Sequence, residues 1–383
     1  VASDYAFRRK PGKGMLRHIQ IESNLSLTGS NADKRIKIKP SQIGLSLSYL
    51  LNQVSDSNYS VGKIDKVLKN QLDGVAKELM SSNGKSVVLV GGNSGANAYL
   101  SAALNAALKN IGTTIRPDKP IYLRSGNDRA FENAIVDMNA GRVGTLIIAG
   151  PNPVYNRVGF DSALKNVNYS LSLNDRFDET SVATTAAAPV PHYLESWADY
   201  VPTNLDFSVS QPVIRPLFNS RPTIEVLSEL LGKTKSAKDL VKESILAKGL
   251  NWSQTLHDGG ASLKIDARIP SFTEISSRAL VGAEIAMETA GSMDSGAMEL
   301  SLYQKTVGAG YQSNNPWLHE LPDPISRVCW DNYLTISAAD ALSMGFVNET
   351  QSNGALDGSL ANIQSGELSL NNVPVLIQPG QAS

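Results

Sequence analysis

An α/β fold built on a parallel sheet is what this sequence predicts, from three observations. The strand-length run Val87-Val-Leu-Val90 empties into Gly91-Gly-Asn-Ser-Gly95 and then an alanine-rich helix. Thr145-Leu-Ile-Ile-Ala149 empties in the same way into Gly150-Pro-Asn-Pro153. A third strand, Asn168 to Leu173, runs on to Asp178-Glu-Thr180. Parallel neighbours need a crossover, usually a helix, so repeated strand–turn–helix units argue for a parallel sheet covered on both faces.

The elements follow in order. Residues 1–40 are polar, with Arg8-Arg9-Lys10 near the start and Lys34-Arg-Ile-Lys-Ile-Lys39 ahead of Pro40. No apolar run follows the basic pair, so a solvated arm is expected rather than an export signal. Weak alternation from Ile19 to Gly29 predicts a first strand. Ser41 is placed to cap a helix carrying Ile43, Leu47, Leu50 and Leu51, and a second helix is expected from Lys63 to Met80. Beyond the first glycine turn, helices are expected from Tyr99 to Leu108, from Phe131 to Ala140 and from Phe160 to Leu164. Prolines then punctuate a long connection that ends in a helix from Thr223 to Leu231. Between 232 and 290 one helix is expected, Ser236 to Leu246, and the Gly/Ser/Asn-rich stretch 291–330 reads as loops or an interaction surface. A helical patch at Ala338 to Met344 precedes strands at Leu368 to Leu370 and Val373 to Ile377. These read as the opening of a small β domain, unfinished at Ser383, whose open edges would expose unpaired backbone groups; the chain therefore reads as a fragment. The resulting division is 1–40, arm and first strand; 41–231, α/β region; 232–330, irregular connecting region; 331–383, incomplete β domain.

Composition excludes several function classes. Thirty-six acidic residues nearly cancel 35 basic ones across 383 residues, which gives no long-range attraction to nucleic acid or anionic lipid. A single cysteine, Cys329, excludes an internal disulfide and any cluster or zinc site made of this chain's thiolates alone. The four histidines lack helical i,i+3 or i,i+4 spacing, so structural roles are expected for them. No run reaches the roughly 20 apolar residues of a membrane span.

Three polar turns could carry chemistry. Gly91, Gly92 and Asn93 precede a helix whose first amides are suited to phosphate, although the spacing matches neither a dinucleotide fingerprint nor a P-loop, and a tight turn needs glycine anyway. Asn152 and Pro153, like Asp178 and Glu179, follow strands at the edge where open sheets bind ligands. Asp175, Asp178 and Glu179 provide carboxylates, but no histidine or cysteine lies in these turns, and solvated loop carboxylates are the commoner reading. His192-Tyr-Leu-Glu-Ser-Trp197 reads as a loop pinned by aromatic burial, and Gln211-Pro-Val-Ile-Arg-Pro-Leu217 as a stiff strap.

In order, Gly150-Pro-Asn-Pro153, Asp178-Glu-Thr180, His192 to Trp197, Gln211 to Leu217 and Arg221-Pro-Thr-Ile-Glu-Val-Leu227 resemble the molybdopterin oxidoreductase family. Thr28 to Arg35, Asn315-Pro-Trp-Leu-His-Glu-Leu-Pro-Asp-Pro324, Cys329-Trp-Asp-Asn-Tyr333 and Pro374 to Gly380 are similar to one branch of it. That branch is the large iron–sulfur and molybdopterin-type subunits of bacterial alternative complex III. The resemblance implies parallel-sheet molybdopterin-oxidoreductase-type domains, followed by the start of a dinucleotide-binding-like β-barrel domain. It further implies a region that has lost its cofactor, leaving a groove near Gly91, Gly92, Asn93, Asn152, Pro153, Asp178 and Glu179 with no catalytic, cofactor or metal residue. Iron–sulfur clusters would lie in another region of the polypeptide and haem c in partner subunits. The expected role is a non-catalytic scaffold on the periplasmic side of the inner membrane. Its neighbours would be multihaem cytochromes c, quinol-oxidising membrane subunits and a terminal oxidase, with no nucleic acid and no span of its own. Two alternatives are a fragment of a true molybdopterin-dependent catalytic subunit and a stand-alone sugar- or nucleotide-binding α/β module.

Overall fold

Most helices here begin where a short polar side chain accepts a bond from first-turn amides that have no partner inside the helix. Asp65 does this for Lys66–Ser81, Ser94 for Gly95–Ala107, Asn127 for Asp128–Asn139, Ser236 for Ala237–Ala247 and Ser337 for Ala338–Met344. Ser41 departs from the expectation. Its hydroxyl donates to Glu299 Oε1 at 2.7 Å and its amide to Oε2 at 2.9 Å, so Gln42–Val54 begins without a side-chain cap.

The computed structural model describes all residues except 1, 13, 56, 60, 123–125, 264–271, 293–297, 305–314 and 331. Much of the 291–316 stretch, and Asp331 of the 329–333 segment, thus lies outside the described residues. The chain forms two units. One comprises Val1–Arg116, Ile269–Thr306 and His319–Ser383, the other Pro117–Arg268 and Val307–Leu318. The expected α/β class with parallel sheets holds, and no closed barrel forms among the described residues.

In the first unit, Ile19–Glu22 pairs in parallel with Lys34–Lys37 beside a helical core. The basic start is exposed but helical over Ala2–Arg8 rather than extended, and Arg9 folds back onto Asp33 at 2.6 Å and the Leu16 carbonyl. Helices Gln42–Val54, Gly95–Ala107 and Phe272–Gly291 pack together around Leu47, Leu51, Leu100 and Leu104. Phe272–Gly291 was not expected, because its buried stripe is Ile275, Ala279, Ala283 and Ala286. The spacing is helical, but alanines give little hydrophobic contrast. Small residues allow a close approach here. A Cβ at Gly282 would lie 2.8 Å from the Ala96 carbonyl oxygen, and one at Gly44 would lie 2.5 Å from Ala286 Cβ. Tyr49 donates to Asp73 Oδ1 at 2.5 Å, linking Gln42–Val54 to Lys66–Ser81. Burial and that carboxylate push Tyr49 up to about 12.

Val87–Val90 corrects the sequence reading. It has no regular secondary structure and joins no sheet among the described residues, and Val87 and Leu89 are exposed while Val88 and Val90 pack on the core. Polar side chains of the following helix occupy the backbone of Val88. Asn105 Oδ1 accepts from its amide at 2.9 Å, and its carbonyl accepts from Asn105 Nδ2 at 2.7 Å and the Ser101 hydroxyl at 3.0 Å.

The C-terminal residues of this unit form the sheet Leu360–Ser365, Leu368–Ile377 and Leu334–Ile336, with Asn348–Thr350 paired to Leu356–Gly358. Arg35 fastens this part to the first strands. It bonds Glu22 Oε1 and the Gly380 carbonyl, each at 2.5 Å, and the Ala382 amide donates to the Ser23 carbonyl at 2.9 Å.

In the second unit, Thr145–Ala149, Tyr169–Asn174 and Ala186–Pro189 make a three-stranded parallel sheet. Ile148 and Leu146 pack on Ile135 and Met138 of Asp128–Asn139 and on Phe160 and Leu164 of Phe160–Leu164. Ile147 and Leu171, on the opposite face, are half-buried. A second core joins Phe207, Val241, Ile245 and Leu263. It lies against the antiparallel sheet Ala198–Tyr200, Asp206–Ser210 and Gly260–Ser262 and the helices Ala237–Ala247 and Trp252–Asp258.

The close helix packing sets the sign of one substitution. Gly282→Ala should destabilise the chain by about 1–3 kcal/mol through overpacking, although helix propensity alone favours alanine by roughly 0.5–1 kcal/mol. Urea unfolding followed by circular dichroism measures this, with Gly95→Ala, where an added Cβ meets nothing within 4 Å, for comparison. A stabilised Gly282→Ala protein would rule out the close approach.

Candidate functional site

Alternation along Tyr169–Asn174 puts Ser170, Ser172 and Asn174 on the same face as Leu146 and Ile148. Three polar side chains are thereby buried against the helices, and burial obliges each to find a partner. The partners come from the turns at the carboxyl ends of the strands.

Asn152, 3 % exposed, joins two of these turns. Its Nδ2 donates to Glu179 Oε2 at 2.7 Å, and its Oδ1 accepts from the Thr180 hydroxyl at 2.8 Å and the Thr180 amide at 3.2 Å. Thr180 Oγ1 in turn accepts from the Val154 amide at 3.1 Å. Asp178 caps Glu179–Ala183: Oδ1 accepts from the Ser181 amide at 2.8 Å and hydroxyl at 2.9 Å, and Oδ2 accepts from Asn174 Nδ2 at 2.7 Å. Asn174 Oδ1 accepts from the Asp175 amide at 2.8 Å, and the Ser172 and Ser181 hydroxyls share a bond at 3.0 Å. No buried side-chain polar atom of this group lacks a partner.

The structure thus brings Asn152, Pro153, Asp178 and Glu179 together at one sheet edge, with Asn152, Pro153 and Asp178 buried and Glu179 exposed. Gly91, Gly92 and Asn93 belong to the other unit and are exposed. Gly92 takes φ of 86°, a left-handed turn that glycine adopts freely, and the Ser94 hydroxyl accepts from the Asn97 amide at the start of the helix. Asn174, Ser172 and Ser181 were missed as members of the group. The signal for Ser172 and Asn174 was the Ser-Leu-Ser-Leu-Asn alternation of the strand, whereas Ser181 lies in the helix Glu179–Ala183.

The buried side-chain polar groups at this edge are bonded within the chain. Among the described residues, no three His, Cys, Asp or Glu side chains converge to hold a metal ion. His18 bonds Tyr5 and Gln20, His192 accepts from the Leu194 amide, His257 bonds Asp258, and His319 stacks on Trp330. His192 also closes a capping box with Glu195, whose other oxygen accepts from the Leu217 amide at 3.3 Å. The Val213 amide donates to the Leu194 carbonyl at 2.8 Å. The proline-rich strap is therefore tied to this loop.

No protein-family model matches the chain, and no curated protein matches it. Among solved structures, the chain is similar to acetylene hydratase from Pelobacter acetylenicus, at 13% identity and a TM-score of 0.47. The similarity covers 67% of this chain and 49% of that one, so the chain matches about half that protein's length. A likeness at this level assigns no residue role here.

The two turns differ in what their asparagines hold. Asn152→Ala removes the partner of the buried Thr180 amide and hydroxyl and should cost about 1–3 kcal/mol. Asn93→Ala, at an exposed turn, should stay within about 0.5 kcal/mol. Urea denaturation of both variants checks the difference, and equal effects would contradict the network.

Proposed function

We propose that this chain is a non-catalytic scaffold of a bacterial respiratory membrane complex of the alternative complex III type. In this reading it is a molybdopterin-oxidoreductase-like region without a cofactor, on the periplasmic side of the inner membrane. It presents surface to iron–sulfur and multihaem cytochrome c components of a quinol-oxidising assembly. The observation that carries the reading is the closed hydrogen-bond set around Asn152 and Asp178. A reacting or cofactor-binding edge keeps polar groups directed at the ligand, whereas here each buried one is directed at a neighbour in the chain.

Two further features support it. The strap bears exposed apolar side chains, Val213 (71%) and Leu217 (71%), and Phe218 (79%) follows it directly. Apolar groups held out on a stiff, tied segment suit a surface covered by neighbouring subunits. No helix among the described residues is long and apolar enough to cross a membrane, so in this reading membrane attachment comes from other polypeptides or segments.

The test is to purify the assembly from native membranes through a tag on this chain and analyse it for metals, haem and pterin. Co-purification of c-type haem and iron, without stoichiometric molybdenum or tungsten, is the expected result. Stoichiometric molybdenum or tungsten with a bound pterin would make the chain part of a catalytic subunit and overturn the reading. Recovery of the chain alone would also overturn it.

A further inference from the structure

Helix Ala237–Ala247 buries Ala237, Val241 and Ile245 against the Phe207 core, which leaves Lys238 and Lys242, one turn apart, on its exposed side. Beneath them Trp197 and Trp252 stack with centroids 5.8 Å apart at 27°, both half-buried against that core. The Lys238 ammonium lies 5.8 Å from the Trp197 ring centre, and that of Lys242 lies 5.9 Å from the Trp252 ring centre. Each cation is thus held over a ring whose own position is set by packing and stacking.

The acidic residues of this helix are engaged elsewhere. Glu243 pairs with Lys235 at 2.5 Å, and Asp239 accepts from the Ser236 hydroxyl at 2.6 Å at the helix start. Glu225, on the preceding helix Thr223–Leu230, accepts from the Ala237 amide at 2.6 Å. Two like charges one turn apart repel, and no carboxylate among the described residues forms a salt bridge with either. Loose lysines would separate; these are restrained by the indoles.

We infer that the Lys238–Lys242 face over the Trp197–Trp252 pair is a docking surface for an acidic segment of a partner protein. Two carboxylates spaced one helical turn apart match the two ammonium groups. Because each ammonium already sits against an indole, less side-chain freedom is lost on contact. Exposed charge pairs act chiefly on encounter and register, so the contact is weak and salt-sensitive. The inference stands whether or not the chain is a respiratory scaffold, since it rests on a different face from the Asn152 network.

The test titrates the full chain with a synthetic helical peptide of Glu-Ala-Ala-Ala-Glu repeats, read by tryptophan emission at low and high salt. Duplex DNA and phosphatidylserine vesicles run in parallel. The expected result is a saturable emission change with the peptide that weakens with salt. It should weaken about tenfold in the Lys238→Gln/Lys242→Gln protein and be unchanged in Lys233→Gln. Circular dichroism verifies that the variants are folded. No response to the peptide, equal binding by the double variant, or DNA or vesicle binding as tight as the peptide's would each overturn the inference.

Discussion

A buried polar group must find its partner inside the chain, and in this protein short side chains meet that requirement where the main chain does not. In the first unit, Asn105 and Ser101 take both backbone groups of Val88, so the segment lies against a helix instead of in a sheet. In the second unit, Asn152 and Asp178 gather the polar turns at one sheet edge and join them to Asn174, which lies on a strand. The same interaction shapes the backbone in one place and gathers polar turns in the other.

Close packing is the second constraint. Gly44, Gly282 and the alanine stripe of Phe272–Gly291 bring three helices together at a distance no larger residue would permit. Such packing leaves a faint trace in sequence because small side chains carry little hydrophobic contrast. The helix was therefore missed, although Ile275, Ala279, Ala283 and Ala286 keep helical spacing. Large apolar stripes were easy to read. Thr145–Ala149 and Phe160–Leu164 lie where their composition put them, and Ala338–Met344 does so too. Val87–Val90 misled for the opposite reason. A short apolar run states that a segment is buried-type, but not what completes its backbone bonds.

The candidate site was half legible. Asn152, Asp178 and Glu179 stood out because polar turns after parallel strands mark the ligand edge of such sheets. Sequence could not tell a free edge from one already bonded to itself, since that depends on Asn174, Thr180 and Ser181 arriving within hydrogen-bond distance. Once they do, the buried polar groups of the edge are bonded to one another.

A scaffold role requires the bonds of that edge to be made in the protein by itself. Amide hydrogen exchange at Thr180 and Ser181, whose N–H groups are bonded to Asn152 and Asp178, reports this directly. Slow exchange in the isolated chain, unchanged by added pterin or nucleotide, is the predicted result. Fast exchange that becomes slow only when such a ligand is added would contradict it.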